Sequence, residues 1–257
     1  MKKNYHTHTF RCYHAMGNEY AYIRRALAAG IEVLGFSDHA PMPFPKGHDA
    51  YYRMKTSLLP DYVETLLEYR KEYRGRLDIL IGFEVEYYPD YFDAFLDLIR
   101  PYPIDYLILG QHFLGNEIGG AHMMKETTDE RILTEYVDQV IAGIGKNVFS
   151  CLAHPDVVFF TGEDDAYRRE MRRLCRAAKE KDLPIEYNLL GLSEGRNYPN
   201  PLFWPIAAEE GNRVILGWDA HRPSAFMQAE VEERGKAYLH SLGITPMETL
   251  PLVPIFP

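Results

Sequence analysis

Cysteine is scarce in this chain. Cys12, Cys151 and Cys175 are all it has in 257 residues, an odd number with no C-x-x-C pair. That excludes a disulfide framework and a thiolate zinc knuckle, and leaves three inert thiols as the expectation. Long apolar runs are missing too: none approaches the ~18–20 residues of a membrane helix. Met1-Lys2-Lys3 passes straight into polar residues, with no apolar leader segment. Positive charge is in deficit, with 28 Lys and Arg against 37 Asp and Glu and a net charge of −9. Such a surface repels nucleic acid and anionic membrane. These absences fit a cytoplasmic enzyme without nucleic-acid or membrane partners, and no feature of the chain specifies an oligomeric state.

What is present is a globular composition, 46% hydrophobic, enough for one large α/β barrel or two small domains. Apolar runs predict strands at Tyr5–Thr9, Val33–Phe36, Ile79–Phe83, Tyr106–Leu109, Val148–Ala153, Ile185–Asn188 and Val214–Leu216. Between them, helical spacing predicts Glu19–Ala29, Asp61–Tyr73, Asp90–Ile99, Asp129–Ile144, Asp165–Lys181, Leu202–Glu210 and Ala225–Leu242. Gly30 supplies a helix stop, and Pro89 and Asn200-Pro201 precede helix starts. Seven strands alternating with seven helices imply a parallel sheet, closed as a distorted (βα)7 TIM-like barrel, with a doubly wound open sheet as the alternative. No linker or low-complexity stretch divides the chain, so residues 1–257 are expected to form a single domain. Its Pro-rich tail, from Thr245 to Pro257, is expected to run extended over the surface.

The ionisable residues cluster where those strands end. His6 and His8 lie two apart on the first strand and so share a face, and His14 follows in the next loop. The second strand leads into Ser37-Asp38-His39, the third into Glu84-Val85-Glu86 and the fourth into Gln111-His112. The fifth leads into His154-Pro155-Asp156 and the seventh into Trp218-Asp219-Ala220-His221. Seven of the ten histidines fall in these segments; His48, His122 and His240 do not. The C-terminal ends of barrel strands are where barrel active sites form. The candidate ligands are therefore His6, His8, His14, His39, Glu84, His112, His154, Asp219 and His221.

Nine ligands exceed what one zinc ion takes, typically about four, and fit two or three divalent ions. Imidazole with carboxylate suits Zn, Mn or Fe(II) rather than Ca or Mg. Ions ~3.5–4 Å apart can share one hydroxide and offset charge on a phosphoryl group. Metal-assisted hydrolysis is the expected chemistry, and the ligands alone leave open whether P–O or C–N is the bond broken.

His6-Thr7-His8, Ser37-Asp38-His39-Ala40-Pro41, Glu84, His112, His154 and Asp219-Ala220-His221 together resemble the polymerase and histidinol phosphatase (PHP) superfamily. Gly35 through Phe44 and Gly110-Gln111-His112-Phe113 resemble its histidinol-phosphatase branch. The resemblance runs in order from Tyr5 to His221. It implies a distorted seven-stranded barrel with three metals. One would be held by His6, His8, Glu84 and Asp219, a second by Glu84, His112 and His154, and a third by His14, His39 and His221. It also implies hydrolysis of a phosphate monoester, L-histidinol phosphate to L-histidinol in histidine biosynthesis, by a metal-bridging hydroxide. Asp38 is expected to assist catalysis, by orienting a ligand histidine. The family often has Arg directly after a Gly-Leu pair beyond strand six; here Ser193 follows Gly191-Leu192, and Arg196 comes three residues later. The family's basic residue beyond the fifth-strand histidine is also missing, since Val157 to Gly162 is uncharged. Arg196 is the expected phosphate contact, and Asn188 a further substrate contact.

Three other readings compete. A phosphoesterase of the same superfamily would act on a nucleotide or sugar phosphate. An amidohydrolase would need a carboxylated lysine or a bridging carboxylate plus one fixed Asp, and no lysine stands at a strand end. A non-catalytic metal-binding regulator would be expected to have lost some ligands.

Overall fold

Alternation along each strand explains the architecture. In β3 (Asp78–Val85) Ile79, Ile81, Phe83 and Val85 pack against helices on one side. Leu80, Gly82 and Glu84 face the other way, into the barrel. The same parity recurs in β1 (Lys3–Asn4), β2 (Val33–His39), β4 (Tyr106–Leu109), β5 (Cys151–Leu152), β6 (Ile185–Asn188) and β7 (Val214–Gly217). In this computed structural model, which describes residues 1–48 and 50–256, the seven strands are parallel and ordered β1 to β7. A parallel bridge between Thr7 and Ala220 closes the first edge on the last, with His8 N donating to Ala220 O at 3.0 Å and Ala220 N to His6 O at 3.1 Å. The fold is the expected distorted TIM-like barrel.

The helices are α1 (Glu19–Ala28), α2 (Leu59–Glu72), α3 (Phe92–Ile99), α4 (Glu130–Ile144), α5 (Asp164–Glu180), α6 (Leu189–Glu194), α7 (Phe203–Glu210) and α8 (Ala229–Ser241). Asn18 and Asp129 cap α1 and α4 through their side chains, accepting from Ala21 N and Arg131 N. The short α6 was not anticipated. Asn188 caps it, and Gly195, in the left-handed region at φ 64°, ends it. The expected helix from Ala225 begins instead as a 3₁₀ turn, Pro223–Met227, before α8.

Two further expectations are corrected. The first strand is regular only at Lys3–Asn4. Beyond it Asn4 takes over the ladder's work: its Nδ2 donates to His6 O (2.9 Å) and Thr7 Oγ1 (2.8 Å), and its Oδ1 accepts from Trp218 N (2.9 Å). The tail does not simply lie on the surface. Met247 bridges to Ile215, Val253 N donates to Ser150 Oγ, and Leu250 is buried with Tyr5, Tyr106, Ile108, Cys151 and Ile215 in the barrel interior. Tyr106 fills that interior because Gly35 and Gly82 leave room for it: a Cβ on Gly35 would stand 2.3 Å from its hydroxyl oxygen and one on Gly82 2.5 Å from its ring. Its hydroxyl donates to Tyr5 O at 2.6 Å.

Candidate metal centre

The inward parity of the strands, carried past their C-terminal ends, brings the histidines and carboxylates together. Glu84, buried at the end of β3, is the hub. Its Oε1 lies 2.7 Å from His154 Nε2 and 3.7 Å from His112 Nε2. Its Oε2 lies 3.0 Å from His39 Nδ1 and 3.5 Å from both His6 Nε2 and His8 Nε2. Asp219 closes the group from beyond β7, with Oδ1 at 3.4 Å from His6 Nε2, 3.1 Å from His8 Nε2 and 3.2 Å from His221 Nδ1. His14 and His221 approach Nε2 to Nε2 at 2.9 Å.

Ligand-capable atoms lie within 4.8 Å of one another in the sets His6–His8–Asp219, His8–His39–Glu84, His6–Glu84–His154 and His14–His39–His221. His112 stands further out, at the mouth. All nine expected ligands thus converge on one end of the barrel. Sites for divalent ions fit this end on a physical test. His6 Nε2, both ring nitrogens of His8, Glu84 Oε2, His154 Nδ1 and Asp219 Oδ1 are buried with no hydrogen-bond partner among the described residues. Leaving such atoms unpaired costs roughly 1–3 kcal/mol each, a loss that cations would reverse.

Electrostatics agree. Burial alone would keep Glu84 protonated, but His39, His112 and His6 hold it well below the usual carboxylate range. Asp219 is depressed in the same way by His6 and His221 against its burial. His8 is pushed well down by burial and by His221 and His39, and His14 falls to about 3 for the same kind of reason. Metal binding requires ionised carboxylates and neutral imidazoles. The two carboxylates, His8 and His14 already meet this. Against their burial, His6, His154 and His221 are raised, by Glu186 and Asp219, by Glu84 and by Asp219 respectively, so these three would give up a proton to an ion.

Two ligands have left-handed backbones, His154 at φ 26° and Asp219 at φ 46°. A non-glycine residue there is held against a cost of about 1–3 kcal/mol. Carboxylates are seated where side chains are missing. A Cβ on Gly110 would lie 2.0 Å from Glu84 Oε1, and one on Gly217 1.7 Å from Glu186 Oε1.

A supporting layer escaped the sequence reading. Glu186 is buried and accepts from His154 N (3.1 Å) and Asn188 Nδ2 (3.0 Å), and its Oε1 lies 2.7 Å from His6 Nδ1. Glu86 accepts from His112 N (2.8 Å) and pairs with the buried Arg53, which also meets Glu117 at 2.6 Å. Parity held the signal: Glu186 shares the inward face of β6 with Asn188, and Glu86, one residue past β3, keeps the parity of Glu84.

The other expected residues fall as follows. Asp38 is fully buried behind the cluster; it accepts from Thr9 N at 2.9 Å and from Thr9 Oγ1, and lies 3.8 Å from His8 Nδ1. Burial raises its carboxyl to about 7, against the pull of the Thr9 hydrogen bonds. Asn188 does not line the cavity as a substrate contact would. It is buried, donates to Asp219 Oδ2 at 3.1 Å and accepts from Gly191 N at 2.9 Å, so its amide is committed to the protein. Arg196 does line the cavity, with donors directed to Glu194 and Tyr198.

The cluster opens into a cavity of about 390 Å³. Its walls include Tyr52, Phe113, His122, Arg196, Tyr198 and Arg222. His122, left outside the site by the sequence reading, is brought in by a short antiparallel hairpin that pairs it with Phe113.

A parallel barrel carrying imidazoles and carboxylates at the C-terminal ends of its strands has the form of a metallohydrolase. The PHP domain model matches residues 4–189, and the chain belongs to the PHP domain family. Within it, the chain is 30% identical over 224 residues to a probable histidinol-phosphatase of Deinococcus radiodurans, covering 85% of each. It is 27% identical over 255 residues to the histidinol-phosphatase of Bacillus subtilis, covering 86% of this chain and 94% of that protein. Among solved structures, the histidinol phosphate phosphatase of Lactococcus lactis, complexed with zinc, L-histidinol and phosphate, shares the fold. Its TM-score is 0.73 at 19% identity, over 98% of both chains. The putative histidinol phosphatase of Listeria monocytogenes does so with a TM-score of 0.74 at 21% identity, over 90% of this chain and 99% of that one.

Proposed function

We propose that this chain is a metal-dependent phosphatase that hydrolyses a small phosphate monoester, L-histidinol phosphate, to L-histidinol and phosphate, a reaction of histidine biosynthesis. The observation that carries the chemistry is the convergence of His6 Nε2, His8 Nε2, Glu84 Oε2 and Asp219 Oδ1, buried and without hydrogen-bond partners among the described residues, beneath a cavity walled by Arg196. The substrate comes from the relatives named histidinol-phosphatase.

The allotment of ligands among the ions is the one the family resemblance implies, and the contacts of Glu84 are compatible with it. Glu84 reaches two groups of ligands, with His6, His8 and Asp219 on one side and His112 and His154 on the other. His14, His39 and His221 form the third. Two or three divalent ions, Zn, Mn or Fe, would fill these places. Bound there, such ions supply an activated water and offset phosphoryl charge.

The protein's own groups do the rest. Arg196 faces the phosphoryl oxygens from the wall. Asp38 holds Thr9 and flanks His8, and Asn188 holds Asp219, so both act by keeping ligands in place. In the reaction a water oxygen adds to phosphorus and the ester P–O bond breaks. The alkoxide leaves as the alcohol, taking up a proton that balances the one the water gives up. We also assign the enzyme to the cytoplasm, on three buried, unbridged thiols; no helix among the described residues is long and apolar enough to cross a membrane.

The test is phosphate release from L-histidinol phosphate beside nucleotides and sugar phosphates, after chelation and after adding Mn²⁺ or Zn²⁺. Metal-dependent release with histidinol phosphate preferred is expected. Equal turnover in chelator, or a stronger preference for another ester, overturns the respective half of the reading.

A further inference from the structure

The metal cavity has three guanidinium groups on its walls, and they differ in what is left of their bonding capacity. Arg53 is buried and saturated, with Glu86, Glu117 and Ala40 O as its partners. Arg196 directs two donors to Glu194 and one to Tyr198, so Glu194 cancels much of its charge. The Arg222 guanidinium has no carboxylate or hydrogen-bond partner among the described residues, and Arg222 directly follows His221. It also lines a second, outer groove of about 580 Å³, together with Met16, Tyr20, Arg24 and Arg25. Arg24 and Arg25 likewise have no carboxylate partner among the described residues. In a protein of net charge −9, three guanidinium groups without a carboxylate partner on one groove are a local reversal of sign.

We infer that Arg222 seats the phosphoryl group in the metal cavity, and that Arg24 and Arg25 form with it a positive path along which the phosphate end of the substrate arrives. The inference rests on the phosphatase reading above. Arg196 shares the wall with Arg222, but Glu194 pairs with Arg196 at 2.7 Å, so the uncompensated positive charge at the cavity is that of Arg222. It is placed at the mouth, where a phosphoryl group would be seated. A guanidinium presents paired N–H donors that match two phosphoryl oxygens, and all of those donors are available here. Beyond the mouth, a row of one sign raises the local concentration of an anion and speeds its capture.

The test separates seating from approach. For seating, inorganic phosphate binding to the metal-loaded protein is measured by calorimetry, alongside metal content and turnover. Arg222→Ala is expected to weaken phosphate binding and raise KM by roughly tenfold or more, with metal content kept, and Arg222→Lys to recover part of the loss. Phosphate affinity unchanged in Arg222→Ala, or Arg222→Lys no better than Arg222→Ala, overturns the seating role. Phosphate binding is read without turnover, so a wrong substrate leaves this result intact. For approach, Arg24→Gln with Arg25→Gln is expected to lower kcat/KM about threefold at low salt and to leave it unchanged at high salt, where such fields are screened. A salt-independent difference, or none, removes Arg24 and Arg25 from the path.

Discussion

Inside the barrel, on the N-terminal side of the metal ligands, Tyr106, Ile215 and Leu250 close on one another, and the one buried hydroxyl among them donates to a carbonyl. At the C-terminal mouth six buried ring and carboxylate atoms have no hydrogen-bond partner among the described residues, and two side chains hang from left-handed backbone. The same strands build both regions. One region gathers stability through apolar contact; the other gives stability up to hold ligand atoms apart and exposed to one another. A substitution should therefore move stability in one region and chemistry in the other.

The strongest break is His8→Ala. It should lose metal and lower phosphate release by roughly 10³-fold, the several kcal/mol a metal contributes, while the metal-free protein melts within about 5 °C of the parent. Metal analysis, a phosphate assay and calorimetry check it. Tyr106→Ala in the barrel interior should do the reverse, costing about 3–5 kcal/mol in denaturant unfolding with turnover per metal-loaded molecule unchanged.

Asp156 sharpens the contrast from just beside the site. It is buried, accepts from Asn200 N at 2.6 Å and Trp204 Nε1 at 3.1 Å, and burial raises its carboxyl to about 6 despite those bonds. Between pH 4 and 6 the folded protein then keeps a proton that the unfolded chain has released, so its contribution to stability falls as pH rises through that window. Asp156→Asn should remove this fall, raising stability above pH 6 by up to about 3 kcal/mol and leaving it unchanged near pH 3.5. Urea midpoints across pH provide the measurement. The smallest effect is expected from Glu186→Gln: a loss of about 10–100-fold in metal affinity, typical of a group that orients a ligand histidine, with the melting midpoint unmoved.

Much of this contrast was legible in the chain. Apolar runs ending in His39, Glu84, His112, His154 and Asp219 announce both strands and ligands, because a parallel barrel delivers every strand end to one face. The boundaries failed where a side chain replaced the backbone ladder, as Asn4 does after Lys3–Asn4. Glu186 and Glu86 were passed over because a carboxylate within or just after an apolar strand looks like a solvent-facing position until closure turns that face inward. The tail has no period to read: Met247 and Leu250 are anchored by a bridge and a buried contact among residues that otherwise suggest extended coil. His122 reached the cavity through a two-residue hairpin strand, too short for alternation to show.

Gly110 and Gly217 carry one more consequence. With a Cβ there falling 2.0 and 1.7 Å from the oxygens of Glu84 and Glu186, the centre is shaped by vacancy as much as by its donors. Anyone transplanting these histidines and acids into another barrel would have to bring both glycines along. Alanine at either place would evict a carboxylate before any ion arrived.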